Sequence, residues 1–314
     1  MKNTSDNLLV LTAGILLAST VAWAEGYDYE TIAYPGANIV QIFGINERGQ
    51  ASGSAVVGVQ TFPFIYDTKR NRITNVAPVA GYDVTAILGI SNSGDLVGSV
   101  IRDVTGIQSG LILNKNRTAI VFDHPDAVSM TQARAVNSRG LVAGFRDSSS
   151  DQLAPENGFI YNPKTGTFTD IVRSAFTIAQ GINERGDVVG SATFADGLTD
   201  DPCGTPSSFD RYGWLRTTDG NVTYFIVNGA LTTARGITDA GTITGSINDG
   251  SGVKGFVTEL DGTQCQAITI AEADLIEIPG GFSTSLQSIT NAGVVVGFYA
   301  DGAGALEGFV ARPL

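Results

Sequence analysis

Apolar and polar positions along this chain fall into a pattern that recurs. A short apolar run ends in a β-branched residue, a polar segment of about four residues ending in glycine follows, and a second apolar run begins. The copies are GINERGQASGS at Gly44, GISNSGDLVGS at Gly89, AVNSRGLVAGF at Ala135, GINERGDVVGS at Gly181, GITDAGTITGS at Gly236 and SITNAGVVVGF at Ser288, spaced 45, 46, 46, 55 and 52 residues apart. A polar segment closed by glycine is hairpin chemistry, because glycine adopts the positive φ of a tight turn without strain. Each copy is followed, after a variable gap, by a small-aromatic-aliphatic phrase such as GFIYN at Gly158 or GFVTE at Gly255, and then by another turn and strand. Each unit is therefore expected to hold four strands. Four strands in about 46 residues, repeated, predict an all-β fold: a six-bladed β-propeller with four antiparallel strands per blade.

The ends of the chain fit that expectation. Lys2, the apolar run Leu8–Ala22 and the small residues Ala22 and Ala24 around Trp23 read as a secretory signal peptide, residues 1–24, cleaved after Ala24. The last repeat stops after its third strand, and residues 25–43 together with 288–314 have the length of one standard repeat. The mature N-terminal strand is thus expected to complete the sixth blade, making residues 25–314 one closed domain with no unpaired edge there.

Composition narrows the function. With 43% hydrophobic and 16% charged residues the chain is expected to be globular, and 39 glycines suit many short strands. A formal charge of −12 disfavours nucleic acid and anionic membrane surfaces as partners, since both are read with clustered Lys and Arg. No second apolar run of spanning length follows the leader, so no membrane insertion is expected after cleavage, and a secreted or periplasmic monomer is the reading.

Candidate chemistry is sparse. His124, the one histidine, lies in FDHPDA and reads as an exposed turn residue; no G-x-S-x-G, H-E-x-x-H or C-x-x-C is present, and zinc lacks ligands. Asp103, Asp147, Asp196, Asp249 and Asp301 follow the second strand of five units and read as turn residues on one acidic face. Among them DGLTDD, with Asp196, Asp200 and Asp201, is a candidate calcium site through hard oxygen ligands, although its spacing is not that of an EF-hand. The residue before each phrase, on the strand placed nearest the central channel, is Phe43, Leu88, Arg134, Gln180, Arg235 or Gln287. Arg134 and Arg235, with Gln180 and Gln287, are channel candidates for a small carboxylate or a uronic acid on the face of the Asp loops, or else they satisfy orphan carbonyls. Four positions before each phrase, Thr85, Thr131, Thr177, Thr232 and Thr284 read as strand propensity. Cys203 and Cys265 occupy the two over-long repeats and are expected to pair, although simple topology puts their loops at opposite ends of the blades.

The pairing of G-I-N-x-x-G-x-V-V-G with a downstream small-aromatic-aliphatic phrase resembles the HAF-type "probable extracellular repeat" proteins across all six repeats. The His-Ala-Phe of that family is here Asn157-Gly158-Phe159 or Glu307-Gly308-Phe309, so no histidine carries over. The resemblance implies an extracellular repeat protein and no assigned activity. The function expected is a binding or scaffold module for a protein or glycan at one propeller face, without a cofactor except possible calcium. The alternative is a carbohydrate-active or ester-cleaving enzyme using loop carboxylates with calcium.

Overall fold

A computed structural model describes residues 26–82, 84–101, 106–148, 156–171, 176–194, 203 and 211–314; the segment 1–24, expected to be a signal peptide, lies outside them. The described chain is all-β, with 24 strands in four hydrogen-bonded sheets of eleven, five, four and four strands. The eleven-stranded sheet is three antiparallel meanders joined by single parallel pairs, Val253↔Ser283 and Ile39↔Leu306. Each meander starts with the strand that leads into one repeated phrase: Ile39–Ile45, Val84–Ile90, Thr131–Val136, Phe176–Ile182, Leu231–Ile237 and Ser283–Ile289. Each of these first strands lies against the next, and the last lies against the first. The N-terminal strand Tyr27–Ile32 pairs antiparallel with Leu306–Pro313, on the outer side of the sixth meander.

Close packing explains the invariable glycine at the end of the phrase. A Cβ on Gly98 would sit 1.8 Å from the Ala86 carbonyl oxygen, and one on Gly190 1.9 Å from that of Ile178. The second strand therefore presses on the first where only hydrogen fits. The third strand of each meander supplies a large core side chain: Phe64, Leu111, Phe159, Trp214, Phe256 and Phe309 are all fully buried. Each such burial contributes roughly 1.5–3 kcal/mol.

The repeated asparagine also has a double task. Oδ1 of Asn46 accepts from the backbone N–H of Arg48 and Gln50, closing its own turn, while Nδ2 donates to the Ser91 carbonyl of the next unit at 3.0 Å. Asn137 and Asn183 do the same, reaching the carbonyls of Asn183 and Thr238. Ser91, Thr238 and Thr290 close their turns through a hydroxyl.

The fifth unit departs from the four-strand expectation. Its third strand, Val253–Thr258, meets the following segment only through a bridge, Gly255↔Ile276. The inserted strand Cys265–Ile268 instead runs parallel along Val222–Val227, the outer strand of the fourth unit. That resolves the topological objection to the disulfide. The insertion leaves its own meander and lies on its neighbour, where Cys265 bonds Cys203 with a Cα–Cα distance of 5.7 Å.

Candidate functional site

In all six meanders the pairing of first and second strands slips by one residue at the same place, between Ile42 and Gly44 in the first and at the equivalent step in the others. Such a β-bulge leaves one residue without a partner and re-aims its side chain. The six bulged residues are Phe43, Leu88, Arg134, Gln180, Arg235 and Gln287; together they line a cavity and alone enclose a second, much smaller one. The four polar channel candidates are thus brought together with two apolar residues from the first two units.

The polar members form two donor-acceptor pairs. Nε of Arg134 donates to Oε1 of Gln180 at 2.9 Å, and its Nη1 donates to Oε1 of Gln132 at 3.2 Å. The guanidinium also lies 6.0 Å from the Phe145 ring centroid. Nη1 of Arg235 donates to Oε1 of Gln287 at 3.4 Å, and Gln287 passes a bond on to Ser285. Nε of Arg235 is buried without a hydrogen-bond partner. Neither arginine forms an ion pair among the described residues. Burial pushes Arg134 down to about 10, against the pull of Glu156. Burial, and then the charges of Arg134 and Arg211, push Arg235 down to about 9. Both stay cationic at neutral pH.

The larger cavity has a volume of about 80 Å³ and runs from this belt to the Asn turns, the end opposite the Asp loops. The arginines were expected to serve the face of the Asp loops; the space they line extends the other way. At the turn end Glu47, Asn92, Glu184, Asp239 and Asn291 surround it. These are linked between units: the backbone N–H of Glu47, Glu184 and Asp239 donates to Asn92, Asp239 and Asn291 respectively, at 2.8–2.9 Å. This rim was not singled out in the sequence, although each member stands in one column of the repeat.

The Asp loops serve structure where they are described. Asp147 is buried and accepts from the backbone N–H of Val128, Ser129 and Met130 and from the Ser129 hydroxyl. Burial alone would raise its carboxyl, and these donors outweigh it, holding the group below the usual range. Asp249 and Asp301 accept from the backbone of Ser251 and of Ala303 and Ala305. Asp103 and the calcium candidates Asp196, Asp200 and Asp201 lie outside the described residues.

The threonine column has a task beyond propensity. The hydroxyls of Thr85, Thr131, Thr232 and Thr284 accept the backbone N–H of Val79, His124, Val227 and Ile278, pinning each connection between units to the strand that follows it.

His124 is not an exposed turn residue. It is 4% exposed, with Phe159 and Phe168 at centroid distances of 5.6 and 4.5 Å. Its Nδ1 accepts the backbone N–H of Asp126 at 3.2 Å, so in the neutral ring the proton sits on Nε2, which faces Oδ1 of Asp170 at 3.4 Å. His124, Asp126 and Asp170 come within metal-binding distance of one another. With one nitrogen accepting a hydrogen bond and the other protonated, however, the ring has no lone pair for a cation. The cluster reads as a polar clamp between units, the Nε2–H of a neutral imidazole facing the Asp170 carboxylate.

Solvent-facing apolar residues also gather. Of the eight large apolar side chains exposed among the described residues, Val59, Ile107, Val128, Phe176, Leu231 and Phe282 all sit at or beside the start of a first or third strand, or at the hairpin before a third strand. In an antiparallel meander those positions share one end. They lie at the crossover face, away from the Asn turns.

No family profile matches the chain, and no curated protein matches it. Solved structures do. The chain is similar to a protein described as a gluconolactonase (12% identity, 93% of this chain and 95% of that one, TM-score 0.52). It is similar to TolB from Acinetobacter baumannii (9% identity, 71% of this chain, TM-score 0.52) and to the acylaminoacyl peptidase of Pyrococcus horikoshii (10% identity, 94% of this chain, TM-score 0.51). Of each of those two chains it spans 52%. At such identity the likeness speaks for the fold alone: an all-β, propeller-like structure.

Proposed function

We propose that the chain is an exported six-bladed β-propeller of the extracellular-repeat type, comprising residues 25–314, that acts as a binding module and docks a protein on its crossover face. The cyclic contacts of the six first strands and the pairing of the N-terminal strand with the last support six blades closed into a ring. Export is supported by the leader-like N-terminus and by the disulfide, a bond that persists in oxidising compartments. Among the described residues no helix is long and apolar enough to cross a membrane.

The observation that carries the docking reading is the gathering of exposed apolar side chains at one end of the meanders. Single exposed apolar residues are ordinary, but here each of the six units places one at the same end of its meander, and that recurrence supports a shared surface there. A photo-reactive residue at position 282 tests it, with one at position 120 on an outer strand as control. The expected result is a defined cross-linked partner from position 282 alone, bound at least tenfold more weakly by the Phe282→Asp variant. Equal labelling from both positions, or an affinity unchanged by Phe282→Asp, would refute it.

A further inference from the structure

We propose that the axial cavity is a binding site for a small organic monocarboxylate, its carboxylate held by Arg134 and Arg235 and its apolar end against Phe43 and Leu88. The proposal rests on the ring architecture proposed above but not on the docking face, which lies at the opposite end.

Charge comes first. Arginines inside a protein are normally accompanied by a carboxylate, because an unpaired charge away from water is costly. Here two of them line one cavity close enough to feel each other's charge; Glu156 pulls on Arg134 but forms no hydrogen bond or ion pair with it among the described residues, and neutral glutamine oxygens are the acceptors found across the units. The buried Nε of Arg235 has no acceptor among the described residues. A bound anion would supply acceptors for both forks, and guanidinium geometry matches a carboxylate.

Shape comes second. Around the ring the belt is divided: units one and two contribute Phe43 and Leu88, and units three to six contribute Arg134, Gln180, Arg235 and Gln287. Phe43 is further backed by Phe298 at a centroid distance of 6.2 Å. A ligand that fills this space needs a charged end and an apolar end. An inorganic oxyanion uses only one wall.

Size and the rim choose among organic acids. At about 10–15 Å³ for each water-sized group, a cavity of 80 Å³ holds an acid of about six non-hydrogen atoms, such as butyrate; a whole uronic acid is roughly twice that. The carboxylates of Glu47, Glu184 and Asp239 at the turn end oppose any incoming anion, and they oppose a dianion more than a monoanion. That disfavours sulfate and hydrogen phosphate. All six belt residues project from bulges in paired strands, so the site is held in shape before binding and little ordering cost accompanies it.

Calorimetry and thermal shift at fixed ionic strength, with sodium butyrate, neutral butyramide and sodium sulfate as probes, test the site. Butyrate is expected to bind and to raise Tm, butyramide to do neither, and sulfate to bind at least tenfold more weakly. Arg235→Gln keeps a polar side chain of similar reach and is expected to fold and to bind butyrate at least tenfold more weakly. Phe43→Ser removes the apolar wall and is expected to weaken butyrate binding. If Arg235→Gln does not fold, the wild-type comparison still decides. Equal effects from butyrate and butyramide, no effect from either, or tighter binding of sulfate than butyrate overturns the site. Any of these would leave the cross-linking result at position 282 standing, so the two readings fail separately.

Discussion

The backbone N–H of Asn291 donates to Oε1 of Glu47 at 2.8 Å, across a sequence separation of 244 residues. The bond joins the last repeat to the first at the turn end of the cavity, where four of the other five junctions carry equivalent bonds, to Asn92, Glu184, Asp239 and Asn291. Glu47→Ala removes the acceptor, a loss of about 1 kcal/mol. In a domain of this size that lowers Tm by about 2 °C, whereas Glu47→Gln, which keeps Oε1, should stay within experimental error of wild type. Matching scanning-calorimetry curves for Ala and wild type would show that the rim bonds add nothing.

Stability should depend on pH through His124. Burial lowers its pKa and Arg146 lowers it further, while Asp170 and Asp126 pull the other way; the net direction is down. The folded chain therefore binds fewer protons at this site than the unfolded chain does. The contribution is fully present above the unfolded value near 6.5 and is lost as pH falls below it, by at most about 1.4 kcal/mol per pH unit. Melting curves between about pH 4.5 and 8 should fall more steeply on the acid side for wild type than for His124→Asn. Parallel profiles for the two proteins would rule the linkage out.

The disulfide ties a segment of the fifth unit to the fourth over a separation of 62 residues. In the chain-entropy account, closing a loop of that length stabilises by about 4 kcal/mol. The Cys203→Ser/Cys265→Ser double variant should lose about that much in urea unfolding, with a steeper loss of protection from exchange in 265–268 than in the first three units. An unchanged urea midpoint would mean that the pairing along Val222–Val227 holds the segment without the bond.

Much of the architecture was legible in the sequence because a repeat repeats its hydrogen bonds. Gly44, Asn46 and Gly53 stand in fixed columns because each meets a neighbouring backbone within one unit or the next, and such constraints recur with the period. The fifth unit was read less well, since the parallel pairing of Cys265–Ile268 with the fourth unit depends on an insertion that no other repeat shares. For the site, the column of Arg134 and Arg235 could be found by register alone, but the direction of its cavity could not. Threonine was taken as strand propensity because a hydroxyl clamp on a preceding crossover, such as Thr131 on His124, is invisible without the fold. His124 misled for the same reason: its loop is polar in sequence, yet Phe159 and Phe168 of the next unit cover the ring.

The bulges carry a consequence for variation and design. A residue that stands outside the pairing register owes nothing to the ladder beside it, so its identity can change while both strands keep their bonds. That fits a column reading Phe, Leu, Arg, Gln, Arg, Gln between one column kept aliphatic and one kept small. Six such residues, one from each unit and all facing the same small space, amount to an interchangeable lining. Recombining them would change the chemistry of that space on an unaltered frame.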